Sequence, residues 1–287
     1  MSESITKQEM SVMENFLRDG IIIPPQPEIA IRIESLARNP DARSKDVAAL
    51  IGQDSGLTAV IFRLAGTVAA GGFKMPSRSG VLPLEQVVAV LGMLQIANVV
   101  KSAMLRRVVG EDLPVYEKFW ERSSDIALLC SIIAQKQVAV CNVFFDQAYM
   151  LGLFHDCGVP ILMQRFPGYR DAFLQISRSG CPDYGAEDEL LHTDHAVVGY
   201  LLSRYWHLPD SVCRAIRCHH DVLDGGHPSF TLVSMLRLAI HCYNVSQGYD
   251  DSEWFDFRKL ALGELGIHPE GAQEFMEDVL DIFHHRK

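Results

Sequence analysis

Apolar residues recur every three to four positions along almost the whole chain, and this feature constrains the fold most. Ile29, Ile33, Leu36 and Ala37 form one such stripe, Leu57, Val60, Ile61, Leu64 and Val68 another, and Val87, Val88, Leu91 and Leu94 a third. Such spacing places the apolar residues on one face of a helix, whereas strands need alternation over a few residues between turn signals. Alternating runs of that kind are scarce, so the sequence predicts an all-α fold. With 287 residues and 48% hydrophobic composition, the chain has ample material for a packed core.

Breaks between the stripes organise the chain. Residues 1–20 are read as a leader helix, and Ile21-Ile22-Ile23-Pro24-Pro25-Gln26-Pro27 as an extended strap, because each proline disfavours helix in the residue before it. Pro27 and Glu28 suit the first turn of a helix that ends near Asn39-Pro40. Ser44 and Ser55 are read as N-caps of the next two helices. Gly71-Gly72 and Pro76 to Gly80 mark a loop, and Pro83 opens a further helix. Residues Glu111 to Pro114 are the candidate boundary between an N-terminal lobe, 21–110, and a C-terminal lobe, 111–287. Beyond it, helices are expected near 115–138, 145–165, 183–205, 209–219, 229–247 and 270–284. No fixed-period repeat or low-complexity tract suggests a solenoid or a tail.

Charge and cysteine usage exclude several function classes. With 36 acidic against 26 basic residues, the chain lacks the excess of Lys and Arg that a nucleic-acid backbone or an anionic membrane demands. Lys101, Arg106 and Arg107 are read as a solvated helical face. The seven cysteines contain no Cys-x-x-Cys pair, which fits a reduced, cytoplasmic protein. The apolar run 87–100 includes Gln95 and Asn98, falls short of the ~20 residues of a membrane span, and reads as one buried core helix. Residues 3–19 carry Glu3, Glu9, Glu14 and Asp19 rather than a basic segment followed by an apolar one, so no secretory signal is expected.

The chemistry-bearing residues gather in three places. His155-Asp156 sets an imidazole beside a carboxylate at the end of an apolar run, a donor pair suited to Mn, Fe or Zn. His192, Asp194 and His195 lie in a second stretch and His219-His220-Asp221 in a third. A convergent metal site would draw on His155, Asp156, His195, His219 and His220; against this, His192 could serve only as a cap and His195 only as a core histidine.

The chain resembles the HDOD domain over roughly residues 21–222. The likeness rests on Pro24-Pro25-Gln26-Pro27-Glu28, Ile51-Gly52-Gln53-Asp54-Ser55-Gly56-Leu57-Thr58, Leu91-Gly92, Phe119-Trp120, Gly152-Leu153-Phe154-His155-Asp156-Cys157-Gly158, Asp194-His195 with Gly199, Trp206-His207-Leu208-Pro209 and His219-His220, in that order. The resemblance implies a two-lobed, multi-helical HD-like architecture, with 111–287 as the HD-like lobe plus a C-terminal helical extension. It also implies a bacterial signalling context with response regulators, sensor kinases or cyclic-dinucleotide proteins as partners.

The HD phosphohydrolases, one step further away, need a first histidine and a late aspartate besides the His-Asp pair. Arg122 and Ile240 stand at those places here. A guanidinium repels a metal and Ile offers no lone pair, so no catalysis and no cofactor are expected, and Arg122 becomes a candidate partner for Asp156. Two alternatives stay open. One is a metal-dependent phosphohydrolase or cyclic-dinucleotide phosphodiesterase holding a divalent ion on the five residues above; the similarity of His219 to Gly226 to HD-GYP enzymes is weakened because Gly226-His227-Pro228 replaces Gly-Tyr-Pro. The other is a nucleotide sensor without hydrolysis, with Arg122 or Arg204 lining the pocket.

Overall fold

The computed structural model describes residues 20–70, 82–109, 114–170, 184–251 and 253–285, and no strand occurs among them. The leader helix, the whole Gly71 to Gly80 loop and residues Glu111 to Leu113 of the boundary fall outside the described residues. The helices are α1 (Glu28–Arg38), α2 (Ser44–Ile51), α3 (Ser55–Ala70), α4 (Leu84–Leu91), α5 (Met93–Val109), α6 (Pro114–Lys136), α7 (Val138–Cys141), α8 (Phe145–Phe154), α9 (Gly158–Arg165), α10 (Tyr184–Leu191), α11 (His195–Tyr205), α12 (Asp210–Arg217), α13 (Phe230–Gln247), α14 (Trp254–Glu264) and α15 (Ala272–His284).

Local chemistry sets their ends. Pro27 precedes α1 in an extended conformation, and the helix buries Ala30, Ile33 and Ala37 on one face. Two expected caps move by one residue. Ser44 is the first helical residue of α2, whose N-terminus is closed by the Asp46 carboxylate accepting the Arg43 N–H at 2.9 Å. Asp54, not Ser55, caps α3 by accepting the Leu57 N–H at 3.0 Å.

The apolar run 87–100 is two helices rather than one. At Gly92 the backbone takes φ 95°, which a side chain would strain, and the axis turns by 108° between α4 and α5. Among the described residues, no single helix is long and apolar enough to cross a membrane.

Helices α6 and α8 form the centre. Helix α8 is buried on every face, and its Gly152 lies so close to α6 that a Cβ there would come within 2.6 Å of the Ala127 Cα. Helix α13 packs on α6, α8 and α14, α11 packs on α9 and α12, and on the other side α5 packs on α8 and carries α1. The buried apolar residues form one contiguous cluster running through both halves.

Two contacts tie the N-terminal residues to the rest. The strap buries Ile21, and the indole N–H of Trp206 donates to the Pro24 carbonyl at 2.9 Å. Lys101 is not on a solvated face: it is 1% exposed, with its ammonium 2.8 Å from Glu34 and 3.4 Å from the His207 carbonyl. Arg107 pairs with Asp54 at 2.8 Å.

Candidate metal centre

The His-Asp pair sits where α8 ends and the chain turns into α9, so the expected helix 145–165 is broken by the very residues that carry chemistry. The expected helix 183–205 breaks likewise at residues 192–194. Gly158 makes the first turn possible, because a Cβ there would meet the His195 carbonyl oxygen at 2.1 Å. This contact brings the start of α11 against the start of α9 and sets His195 beside Asp156.

Hydrogen bonds on the outer ring nitrogens fix how three imidazoles face. His155 Nδ1 lies 2.7 Å from the Gly152 carbonyl and His219 Nδ1 2.7 Å from the Ile216 carbonyl. A carbonyl only accepts, so each Nδ1 carries the proton and each Nε2 turns a lone pair inward. His195 Nδ1 lies 2.7 Å from Glu187 Oε2, an oxygen that also accepts the His195 backbone N–H at 2.8 Å. Glu187 in turn accepts the Tyr169 hydroxyl at 2.5 Å. A carboxylate or carbonyl behind each imidazole is the outer-shell pattern of histidines that ligate metals.

The inward atoms converge. Asp156 Oδ1 is 3.4 Å from both His195 Nε2 and His219 Nε2, those two nitrogens are 3.4 Å apart, and His220 Nε2 is 2.9 Å from His195 Nε2. One ligand atom from each of Asp156, His195, His219 and His220 lies within 4.8 Å of every other. A tetrahedral ion bound at 2.0–2.1 Å spaces its ligands about 3.3 Å apart, so these four donors fit a single divalent cation. His155 is beside the set rather than in it: its buried Nε2 is 3.0 Å from Asp156 Oδ2 but misaligned for a hydrogen bond.

Electrostatics follow from this crowding. Burial pushes the Asp156 carboxyl up, yet the neighbouring His155, His195 and His219 rings hold it well below the usual carboxylate range. Burial also disfavours charge on His195, but Asp156 and Glu187 lift it to about 10. Burial lowers His219 to about 4 and drives His220 far below the ordinary imidazole value. Cys157 is not among the converging donors, and burial raises its thiol well above the normal range.

Asp156 has a second partner. Arg122, on α6 and 3% exposed, donates from Nη1 to Asp156 Oδ2 at 2.9 Å. Arg122 and Ile240 both line the cavity of about 200 Å³ that opens over the cluster. A second metal ion about 4 Å from the first would need that Asp156 oxygen and further donors, and instead meets a fixed cation and a hydrocarbon. The expected pairing of Arg122 with Asp156 is thus present.

Other expected residues lie apart. His192 is exposed with φ 53°, Asp194 caps α11 by accepting the Val197 N–H at 2.7 Å, and Asp221 is exposed. Arg204 binds Asp210 at 3.1 Å and does not line the cavity. Sequence reasoning missed Glu187 and Tyr169, which support His195, and Arg237, which lines the cavity from α13.

Comparison with known proteins agrees with this geometry. The HDOD domain family model matches residues 23–222. An uncharacterized protein of Treponema pallidum (strain Nichols) is 24% identical over 221 residues, which are 76% of this chain and 41% of that protein, so the chain spans less than half the length of that relative. Among solved structures, a candidate metal-dependent phosphohydrolase from Shewanella amazonensis SB2B superposes with a TM-score of 0.68 at 20% identity, covering 97% of both chains. A candidate signal transduction protein from Marinobacter aquaeolei VT8 superposes with a TM-score of 0.64 at 24% identity, covering 97% of this chain and 63% of that one. At these identities the solved structures establish the shared HD-like helical fold, and the family match over most of the chain establishes membership. The chain belongs to the HDOD domain family.

Proposed function

We propose that this chain is a signal-transduction module that works through protein contacts or ligand sensing and does not hydrolyse phosphoesters. The observation that carries the reading is the Arg122 guanidinium on Asp156 Oδ2. Metal-activated hydrolysis needs an ion with an open position for water. Here the four converging donors would close the shell of one ion, and Arg122 takes the oxygen a second would use. A bound ion would act structurally, tying the end of α8 to the start of α11 and to the residues following α12. The name of the Marinobacter structure supports a signalling role, and response regulators, sensor kinases and cyclic-dinucleotide proteins are the partner classes proposed.

The rival reading, a metal-dependent phosphohydrolase, draws on the same donor set and on the name of the Shewanella structure. Metal analysis of the purified protein combined with turnover assays separates the two. We expect at most one equivalent of Zn, Mn or Fe, and no turnover of phosphomonoesters, nucleotides or cyclic dinucleotides with any of them added. Metal-dependent turnover that vanishes in Asp156→Ala while the melting temperature holds would overturn the proposal.

A further inference from the structure

The cavity over the cluster has a second chemical wall, made by residues after position 222 and so beyond the matched family region. Arg237 projects from α13 with 6% exposure, and its Cζ lies 3.9 Å from the centroid of the Phe257 ring. Its Nη1 donates to Glu253, in the segment joining α13 to α14, whose side chain is 52% exposed. Nε and Nη2 are buried and have no hydrogen-bond partner among the described residues. Nη1 and Nη2 together form the end-on fork of the guanidinium, which takes two oxygens of one anion side by side, and Glu253 fills half of it. A buried cation with donors left unmade is costly, and a bound ion is one of the few ways a native structure repays that cost.

We propose that the Nη1–Nη2 fork of Arg237 binds the phosphate group of a small phosphoester, or free phosphate, and that Glu253, on Nη1, is its intramolecular stand-in. The ligand would enter by displacing the half-exposed Glu253 carboxylate, which exchanges one negative charge on Arg237 for another. Asn244 and His220 line the same cavity and offer further polar contacts. Asp251, also on the cavity wall, is committed elsewhere: it accepts from His241 Nδ1 at 2.9 Å and from the Trp254 N–H at 3.2 Å. Asp250 and Asp251 make the rim acidic, which disfavours ligands of high negative charge. A volume of about 200 Å³ lies below the pockets of 300–1,000 Å³ that enclose drug-sized ligands. A phosphate with a small organic group fits; an enclosed cyclic dinucleotide does not.

This inference rests on reading the site as a ligand-sensing pocket, and its test is independent of turnover. Titrations of the wild-type protein, Arg237→Lys and Glu253→Gln would use inorganic phosphate, a nucleoside 5′-monophosphate and a cyclic dinucleotide, followed by calorimetry and ³¹P line broadening. We expect saturable phosphate binding, weakened about tenfold or more in Arg237→Lys because a point charge replaces the fork. Glu253→Gln, at an exposed position that leaves the fold intact, should tighten binding several-fold by removing the competitor. Tighter binding of the monophosphate than of phosphate would identify an ester as the ligand, and equal binding would identify free phosphate. Absence of saturable phosphate binding in both wild type and Glu253→Gln, indifference to Arg237→Lys in a folded protein, or preference for the cyclic dinucleotide would overturn the inference. Should turnover appear while binding still depends on Arg237, the hydrolysis-free reading fails and this one stands.

Discussion

Lys101 and Arg122 are both buried cations on long helices, 2.8 Å from Glu34 and 2.9 Å from Asp156 respectively, yet their company differs. Lys101 meets a carboxylate that retains 19% exposure and is also held by Arg38 at 2.9 Å, so the group at the joint between α1 and α5 keeps a route to water. Burial works against charge on Glu34, but Lys101 and then Arg38 bring its carboxyl below the usual value. Arg122 meets an almost fully buried carboxylate surrounded by imidazoles whose lone pairs point inward. The first pair fastens helices together; the second neutralises a donor set fitted to a cation. An ion pair of ordinary length therefore says little until the groups behind it are counted.

The comparison predicts unequal penalties when each pair is broken. Asp156→Ala removes the buried carboxylate that pairs with Arg122 and should cost about 3–5 kcal/mol in urea denaturation, the range for breaking a buried ion pair by deleting one partner. A loss below about 1 kcal/mol would mean that Arg122 reaches water through the cavity, and the contrast with Lys101 would collapse. Lys101→Met should cost less, about 1–2 kcal/mol, because a hydrocarbon of similar length refills the site while Glu34 rehydrates and keeps Arg38.

Asp54 and Arg107 extend the series to the surface, with side chains 19% and 43% exposed. Hydrogen bonds from Arg107, opposed by partial burial, depress the Asp54 carboxyl from 3.8 to about 2. A depressed carboxyl stabilises the fold above its unfolded pKa and loses that contribution as pH falls through the folded one. Asp54→Asn should thus cost about 1 kcal/mol near neutrality after allowance for screening, and the difference from wild type should vanish as pH falls from about 4 to about 2. A penalty that persists at low pH would assign the effect to the lost α3 cap instead.

The helices were legible because apolar spacing survives even where the chain bends, but bends without proline were not. His155-Asp156-Cys157 and His192-Thr193-Asp194 interrupt apolar runs with residues that helices tolerate, so only the tertiary contact at Gly158 shows why the chain turns there. Helix α14 escaped notice because Asp250 to Glu253 and the charges of Asp256, Arg258 and Lys259 dilute its stripe, although Trp254, Phe257, Ala261 and Leu262 are buried at helical spacing. At the site, adjacent histidines announced themselves, and Arg122 was found through what it replaced. Glu187 and Arg237 carried no such mark, since a supporting carboxylate eight residues from its histidine and an arginine on a distant helix have no characteristic spacing. His192 and Asp194 show the converse, proximity in sequence without a place in the cluster.

The hydrogen bond from Trp206 to Pro24 joins residues 182 positions apart, and this separation has a consequence in time. During synthesis the strap leaves the ribosome before its anchor exists. At 5–20 residues per second, Pro24 waits about 9–36 s for Trp206 to be made. The loop between them is long, and closing it must follow the folding of the helices that lie inside it. Ile21 to Pro27 are thus translated well before the anchor that seats them, and throughout that interval the prolines keep the apolar strap out of helix.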